Sequence, residues 1–229
     1  MKEVTIYCDG SAIGNPGPGG WGFAILIFQN RGGRTVEEIG GFEKHTTNNR
    51  MEITAAIEGL KKAVKNSSVT IKTDSQYLVN GISKWVYGWE RNGWKTSQKQ
   101  DVLNKDLWQE LMKVSADLDV TWEHLRAHSG ITMNERVDQI ANSFARGEKI
   151  KLFKGSDKDY KAFLESEHKS RPASGAKAYS YISMLLGKIE THKNWADCEK
   201  RVKGQKARFK KVFSEEEELA IKKAWQREK

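Results

Sequence analysis

The stretch DGSAIGNPGPGG, residues 9–20, constrains the fold most. Ahead of it, Val4, Ile6 and Cys8 alternate with Thr5, Tyr7 and Asp9, the period of a half-buried strand that ends on a carboxylate. The glycines that follow suit a turn with positive φ, or a backbone that must lie close to something else. A phosphate-cradling loop would continue into a helix, but WGFAILIF (21–28) reads as a second strand, so a hairpin is predicted. Taken alone, such a hairpin needs its acid for nothing beyond the turn. Chemistry requires partners elsewhere in the chain.

With strands at 3–9 and 21–28 in place, the pattern continues with a strand at 35–43, a helix at 49–65 and a strand at 68–74. Helices near 75–91 and 101–117, a strand at 118–124 and a helix at 134–146 follow. Hairpin-linked strands followed by helix–strand alternation imply an α/β class, a mixed sheet flanked by helices. Residues 149–176 mix charges with Gly, Ser and Pro and read as a linker containing a short helix at Lys158–His168. The 229 residues then hold two domains, at 1–148 and 177–229. No apolar run reaches a membrane span and no leader core precedes Asp9, so a cytoplasmic protein is expected. Cys8 and Cys198 stand far apart, outside any metal-ligand spacing, and are expected as buried thiols.

The net charge of +9 is unevenly spread. In residues 1–148, 18 basic side chains meet 18 acidic ones, whereas 149–174 has seven against four and 175–229 fourteen against eight. A polyanionic partner met by the C-terminal end is the expectation, against the plain alternative of a basic tail that only aids solubility.

Three further acids stand where a site would need them. In TTNNRMEITAAIEGL, Ile53, Ala56, Ile57 and Leu60 repeat at helical spacing and leave Glu52 in the first turn, free to cap its helix or to face a site. In VTIKTDSQY, Asp74 ends a strand as Asp9 does, and two strand-end carboxylates can meet at one rim of a sheet. In MNERVDQIANSFA, Val137, Ile140, Ala141 and Phe144 form the buried face, with Asp138 beside that stripe. Each has a plain alternative as a cap or surface acid. Four converging acids would repel unless a cation joined them, and hard oxygen donors without thiolate or imidazole select Mg²⁺ or Mn²⁺. Two such ions, ~3.5–4 Å apart, suit phosphodiester cleavage because they stabilise both attacking and leaving oxygens.

Residues 1 to about 147 closely resemble type 1 ribonuclease H, through DGSAIGNPGPGG, TTNNRME, TDSQY, GWKT, DLW and HSGITMNERVD in that family's order and spacing. The resemblance implies the ribonuclease H-like fold, a five-stranded mixed sheet with helices, and endonucleolytic cleavage of RNA paired to DNA by two-metal-ion catalysis. The products would be 5′-phosphate and 3′-hydroxyl ends. It places two Mg²⁺ ions, or Mn²⁺, among Asp9, Glu52, Asp74 and Asp138, and matches His128 to a mobile histidine that shuttles protons or helps product leave. Asn15, Asn48 and Gln76 would contact the minor groove of the hybrid, which the glycines after Asp9 would let the backbone approach, and Thr47 and Asn104 would hold a DNA phosphate. The same side chains also suit caps and turns. WVYGWERNGWKTSQK resembles the family's basic protrusion, with Trp85, Trp89, Trp94, Lys95 and Lys99 toward DNA, or with Trp85 on a core helix face. Glu90 and Asn92 stand where basic residues would be at home.

Residues from about Tyr179 to Trp225 resemble the small hybrid-binding, viroplasmin-like domain, α+β in class, that eukaryotic relatives usually carry at the N-terminus. Its nucleic-acid surface maps onto Tyr181, Trp195, Phe209, Lys210 and Lys211, with Trp195 and Phe209 alternatively in the core. The hairpin around SMLLGKIETH departs from the family pattern, and Ser214 followed by Glu215–Glu218 reads as a helix start. The expected partners are an RNA/DNA hybrid and, through this segment, double-stranded RNA, with no membrane and a monomeric state. A strand-transfer enzyme of the integrase-like superfamily would share the acids but not the GNPGPGG and TTNNRME context. A pure binding module would lack an acid; all four are present.

Overall fold

The structure, a computed structural model, describes residues 2–29, 32–126, 131–169 and 178–226. The chain divides into two compact units, Met1–Leu164 and Glu165–Lys229. In the first, β1 (Glu3–Ala12), β2 (Gly17–Phe28) and β3 (Arg34–Thr46) form an antiparallel meander. After α1 (Asn48–Lys62), β4 (Ser68–Thr73) returns parallel to β1. Then come α2 (Gln76–Asn80), a π-helical turn Gly81–Trp85, α3 (Val86–Arg91) and α4 (Lys105–Ser115). Next, β5 (Asp119–His124) pairs parallel to β4 and α5 (Thr132–Ala145) follows. The α/β reading therefore stands.

One layer of core lies between the sheet and α1 with α4: Ile6, Ile57, Ile71, Trp108 and Leu111 are all but inaccessible to water. At ~1.5–3 kcal/mol for each fully buried large aliphatic side chain, this layer supplies much of the unit's hydrophobic stabilisation. The first unit also contains more than the sequence pattern shows. β6 (Lys154–Ser156) pairs antiparallel with the outer edge of β3, so the sheet has six strands, ordered β5-β4-β1-β2-β3-β6, where five were expected. Behind it, α6 (Asp157–Lys169) lays Tyr160 and Phe163 over Leu26 and Val36. The linker assigned to 149–176 therefore cannot begin at 149. Its first half is folded because Tyr160 and Phe163 bury apolar area against the sheet, and the helix expected at Lys158–His168 is α6.

The glycines of the opening motif owe little to turns. β2 begins at Gly17, so the connection shrinks to residues 13–16, where Gly14 has φ of +80°. A Cβ on Gly10 would lie 2.2 Å from the backbone N of Glu52 in α1. One on Gly20 would lie 2.2 Å from the Ala141 carbonyl oxygen in α5. Bare backbone at these two positions is needed so that α1 and α5 can press onto β1 and β2.

The second unit is α+β. β7 (Ser180–Leu185), β8 (Lys188–His192) and β9 (Arg208–Val212) form an antiparallel sheet ordered β8-β7-β9, with α7 (Trp195–Val202) and α8 (Glu215–Gln226). Leu186 and Gly187, at φ +50° and +76°, make the two-residue β7–β8 turn. Ile182, Val212, Ile221 and Trp225 form its core. Ser214 accepts from the Glu217 N–H and starts α8, as its sequence indicates. Cys8 and Cys198 are both buried. Among the described residues no helix is long and apolar enough to cross a membrane.

Candidate active site and nucleic-acid surfaces

The packing that requires Gly10 also builds the site. Because α1 sits directly on β1, Glu52 arrives beside Asp9; because α5 sits on β2, Asp138 arrives from the other flank. β4 runs parallel to β1 in a register pairing Tyr7 with Lys72, so two residues further Asp74 ends level with Asp9. All four acids line one cleft of about 250 Å³ with Ser11, Asn48, Asn134, Glu135 and Asn142. Among the described residues no lysine or arginine is in that lining.

Asp9 is 7% exposed and accepts one hydrogen bond, from the Gly10 N–H at 2.8 Å. Burial first, and then the Asp74, Asp138 and Glu52 charges, push its carboxyl up to about 8. Burial also raises Glu52, opposed by its hydrogen bonds. Ser75 Oγ donates to Glu52 Oε2, and Asn48 Nδ2 to Oε1 at 2.9 Å. Since α1 starts at Asn48, Glu52 lies in its second turn and faces the cleft; it is no helix cap. Asp74 Oδ2 accepts from Asn134 Nδ2 at 3.0 Å, and Asp138 Oδ1 from Asn142 Nδ2 at 2.7 Å, while Ser11 Oγ donates to Asn142 Oδ1. The carboxamides of Asn48, Asn134 and Asn142 and the Ser75 hydroxyl, all neutral donors, thus help orient Glu52, Asp74 and Asp138.

That donor set fits a hard divalent cation. Among the described residues no three Asp, Glu, His or Cys side chains stand close enough to enclose one ion by themselves. The open mode remains, in which one or two carboxylates, water and a substrate phosphate share the shell, as Mg²⁺ commonly requires. The cleft is far larger than the ~30 Å³ share of one water molecule, so an ion can enter hydrated. Burial, and then the neighbouring acids, hold the Cys8 thiol far above its ordinary range.

The RNase H family's sequence profile matches residues 1–146. The chain belongs to the RNase H family. It is 54% identical over 140 residues to "Ribonuclease H" of Pelobacter propionicus, covering 61% of this chain and 83% of that one. To "Ribonuclease H" of Hydrogenovibrio crunogenus it is 53% identical over 142 residues, covering 62% and 94%. Among solved structures it is similar to LC9-RNase H1, described as a type 1 RNase H with the type 2 active-site motif. That match has a TM-score of 0.63 and 27% identity, covering 77% of this chain and 92% of that one. This RNase H is an enzyme, a nuclease of the hydrolase class.

Around the cleft, Asn15 Oδ1 accepts from the Asn48 N–H at 2.9 Å and Asn48 Oδ1 from the Ala12 N–H at 3.2 Å, so both carboxamides shape the cleft's rim. Gln76 is exposed at the start of α2. Thr47 occupies the cap position of α1 with no side-chain cap bond. Asn104, at φ +59°, donates to Tyr77 and accepts from Arg50, which pairs with Asp106 at 2.6 Å. Sequence reasoning missed Arg50, Ser75, Asn134 and Asn142. Asn134 and Asn142 were discoverable, since each lies four residues from Asp138 on the same helix face. His128 lies outside the described residues; His124, assigned no chemistry, bonds the Asp74 carbonyl oxygen at 3.2 Å.

In the protrusion, Trp85 is 37% exposed and Trp89 half-buried, their rings 5.7 Å apart. Trp94 must be reassigned. It is 7% exposed, with its backbone bonded to Trp89 and Val102, so it supports the protrusion and cannot face a ligand. Lys95 is exposed and pairs with Asp101 at 2.7 Å; Lys99 is exposed. In the second unit, Trp195 packs between Tyr181 and Phe209, with ring centroids 5.6 and 5.2 Å away. Both Trp195 and Phe209 remain substantially exposed, so neither is a core residue. Strand alternation puts Lys211 on the face of Phe209 and Tyr181, and Lys210 on the opposite face with Arg208 and Val212; the sequence grouping of Lys210 with that surface is corrected.

Proposed function

We propose that residues 1–164 hydrolyse the RNA strand of RNA/DNA hybrids, and that the second unit holds the hybrid. The observation that carries this reading is the convergence of Asp9, Glu52, Asp74 and Asp138 in one cleft of an RNase H fold. Two Mg²⁺ ions, or Mn²⁺, bound there would supply charge neutralisation and an activated water for in-line attack, leaving 5′-phosphate and 3′-hydroxyl ends. The chain's own part is orientation. Asn48 and Ser75 hold Glu52, Asn134 holds Asp74, and Asn142 holds Asp138, so the acids meet a phosphate without rearranging. Asn15, Asn48 and Gln76 rim the cleft where a minor groove with its 2′-hydroxyls would lie, Thr47 and Asn104 serve a DNA phosphate, and His128 assists proton movement or product release.

The tethering role rests on the Tyr181, Trp195 and Phe209 face beside Lys211, which suits stacking on sugars or bases while a lysine meets phosphate. Double-stranded RNA is a competing ligand for that face. The test incubates the protein with labelled RNA/DNA hybrid, duplex DNA and duplex RNA, with and without Mg²⁺. Cleavage of only the hybrid's RNA strand, only with the metal, is expected. Cleavage of duplex DNA, or none of any substrate, would displace the reading in favour of a strand-transfer enzyme or a binding module.

A further inference from the structure

A fully buried ion pair of the first unit lies away from the cleft lining. Arg136, on α5, donates through Nε and Nη2 to the two oxygens of Glu38 on β3, each at 2.8 Å, and the two side chains are 3% and 0% exposed. Glu38 takes two more donors, the Tyr160 hydroxyl at 2.7 Å and the Phe153 N–H at 3.0 Å. Arg136 also donates to the Lys151 carbonyl at 2.6 Å and stacks 5.2 Å from the Phe163 ring centre. Burying such a pair is costly unless further hydrogen bonds satisfy both ions. Residues 151–163 supply that satisfaction, and they lie beyond the family match at 1–146. Burial and the Glu38 charge raise the Tyr160 phenol, which keeps it a donor.

The placement of Arg136 gives the pair leverage. At 3.6 residues per turn, Arg136 and Asp138 project from opposite flanks of α5, either side of the Val137 and Ala141 stripe on the sheet. A two-pronged, directional bond on one flank therefore sets the rotation of the helix, and with it where Asn134 and Asp138 stand on the other. We propose that residues 151–164 are a strap that fixes the catalytic helix through Glu38, which makes Arg136 a positioning residue and extends the working catalytic unit to Leu164. This rests on the reading of the four acids as the metal site.

The test uses the full chain carrying Glu38→Gln or Tyr160→Phe, with Asp138→Asn as a separate control. Mg²⁺ alone is titrated calorimetrically into each folded protein, and hybrid cleavage is followed across Mg²⁺ concentrations. For Glu38→Gln, Mg²⁺ affinity is expected to fall ~3–10-fold, less than the ~10–100-fold typical when a direct partner of a metal ligand is lost. The hybrid KM should stay unchanged and excess Mg²⁺ should restore kcat. Tyr160→Phe should move the same way by a smaller factor; if Glu38→Gln does not fold, this variant decides alone, because it keeps the ring and its packing. Folded variants with parental Mg²⁺ affinity would overturn the strap, whatever their melting temperature. Parental Mg²⁺ binding and cleavage in Asp138→Asn would instead sink the site reading beneath it.

Discussion

At the scale of single residues, two kinds of side chain make the cleft: acids that repel one another and glycines that let them meet. In metal-free protein the repulsion is exposed. Asp9, raised to about 8 against an ordinary value of 3.8, is protonated in the folded state across a window where the unfolded chain is ionised. The folded state then binds more protons, so this group's contribution is full below its unfolded value and is lost as pH rises through about 8. With EDTA present, the melting temperature should fall between pH 5.5 and 8.5, and Asp9→Asn should raise it at pH 8.5 and flatten the dependence. Gly10→Ala tests the other half. Its methyl would drive α1 off β1, at a cost of ~1–3 kcal/mol by analogy with overpacked cores, and cleavage should fall with it. Thermal melts and initial rates check both. The acids were legible in the sequence because a carboxylate ending a strand, or flanking an apolar stripe, is a local feature. The glycines' purpose was not, because the backbones that crowd Gly10 and Gly20 belong to helices dozens of residues away.

At the scale of elements, the alternation of apolar residues located β1–β5, α1 and α5 to within a few residues. Two elements resisted. β6 is three residues long and owes its conformation to the free edge of β3, so nothing in LFKGSDKDY marks a strand. The stretch read as continuous helix near 75–91 contains a π-helical turn at Gly81–Trp85. A Cβ on Gly81 would lie 2.2 Å from the Trp108 ring, so the turn and the buried tryptophan are fitted to each other. The α6 contribution can be measured directly. Phe163→Ala should destabilise the first unit by ~3 kcal/mol, at the low end for buried aromatics because the side chain sits at the margin of the core. A change below ~0.5 kcal/mol in denaturant unfolding would mean that α6 merely rests on the sheet.

At the scale of the whole molecule, the charge asymmetry matches the division of labour proposed above: the balanced portion carries the acidic cleft, and the excess cations lie in the C-terminal part. A tethered binder raises the effective concentration of substrate without touching the chemistry. Trp195→Ala with Phe209→Ala should therefore raise KM for the hybrid several-fold and leave kcat within about twofold, and Lys211→Ala should shallow the salt dependence by ~1 in logarithmic slope. The assignment of 149–176 as linker shows what composition cannot resolve, since the same Lys, Gly and Ser residues serve a linker or an edge strand equally well. A chain shortened after 150 would lose the proposed strap as well as the proposed tether, so a cut meant to separate the two roles belongs after Lys169. The whole account depends on the acids gripping a divalent ion against a phosphodiester. Hybrid cleavage and hybrid binding, measured side by side in the parent and Asp74→Asn with Mg²⁺ or EDTA, test this most directly. Asp74→Asn should lose more than the ~100-fold ascribed to outer partners of a metal ligand, while binding the hybrid as the parent does. Parental cleavage by Asp74→Asn, or turnover that persists in EDTA, would contradict it.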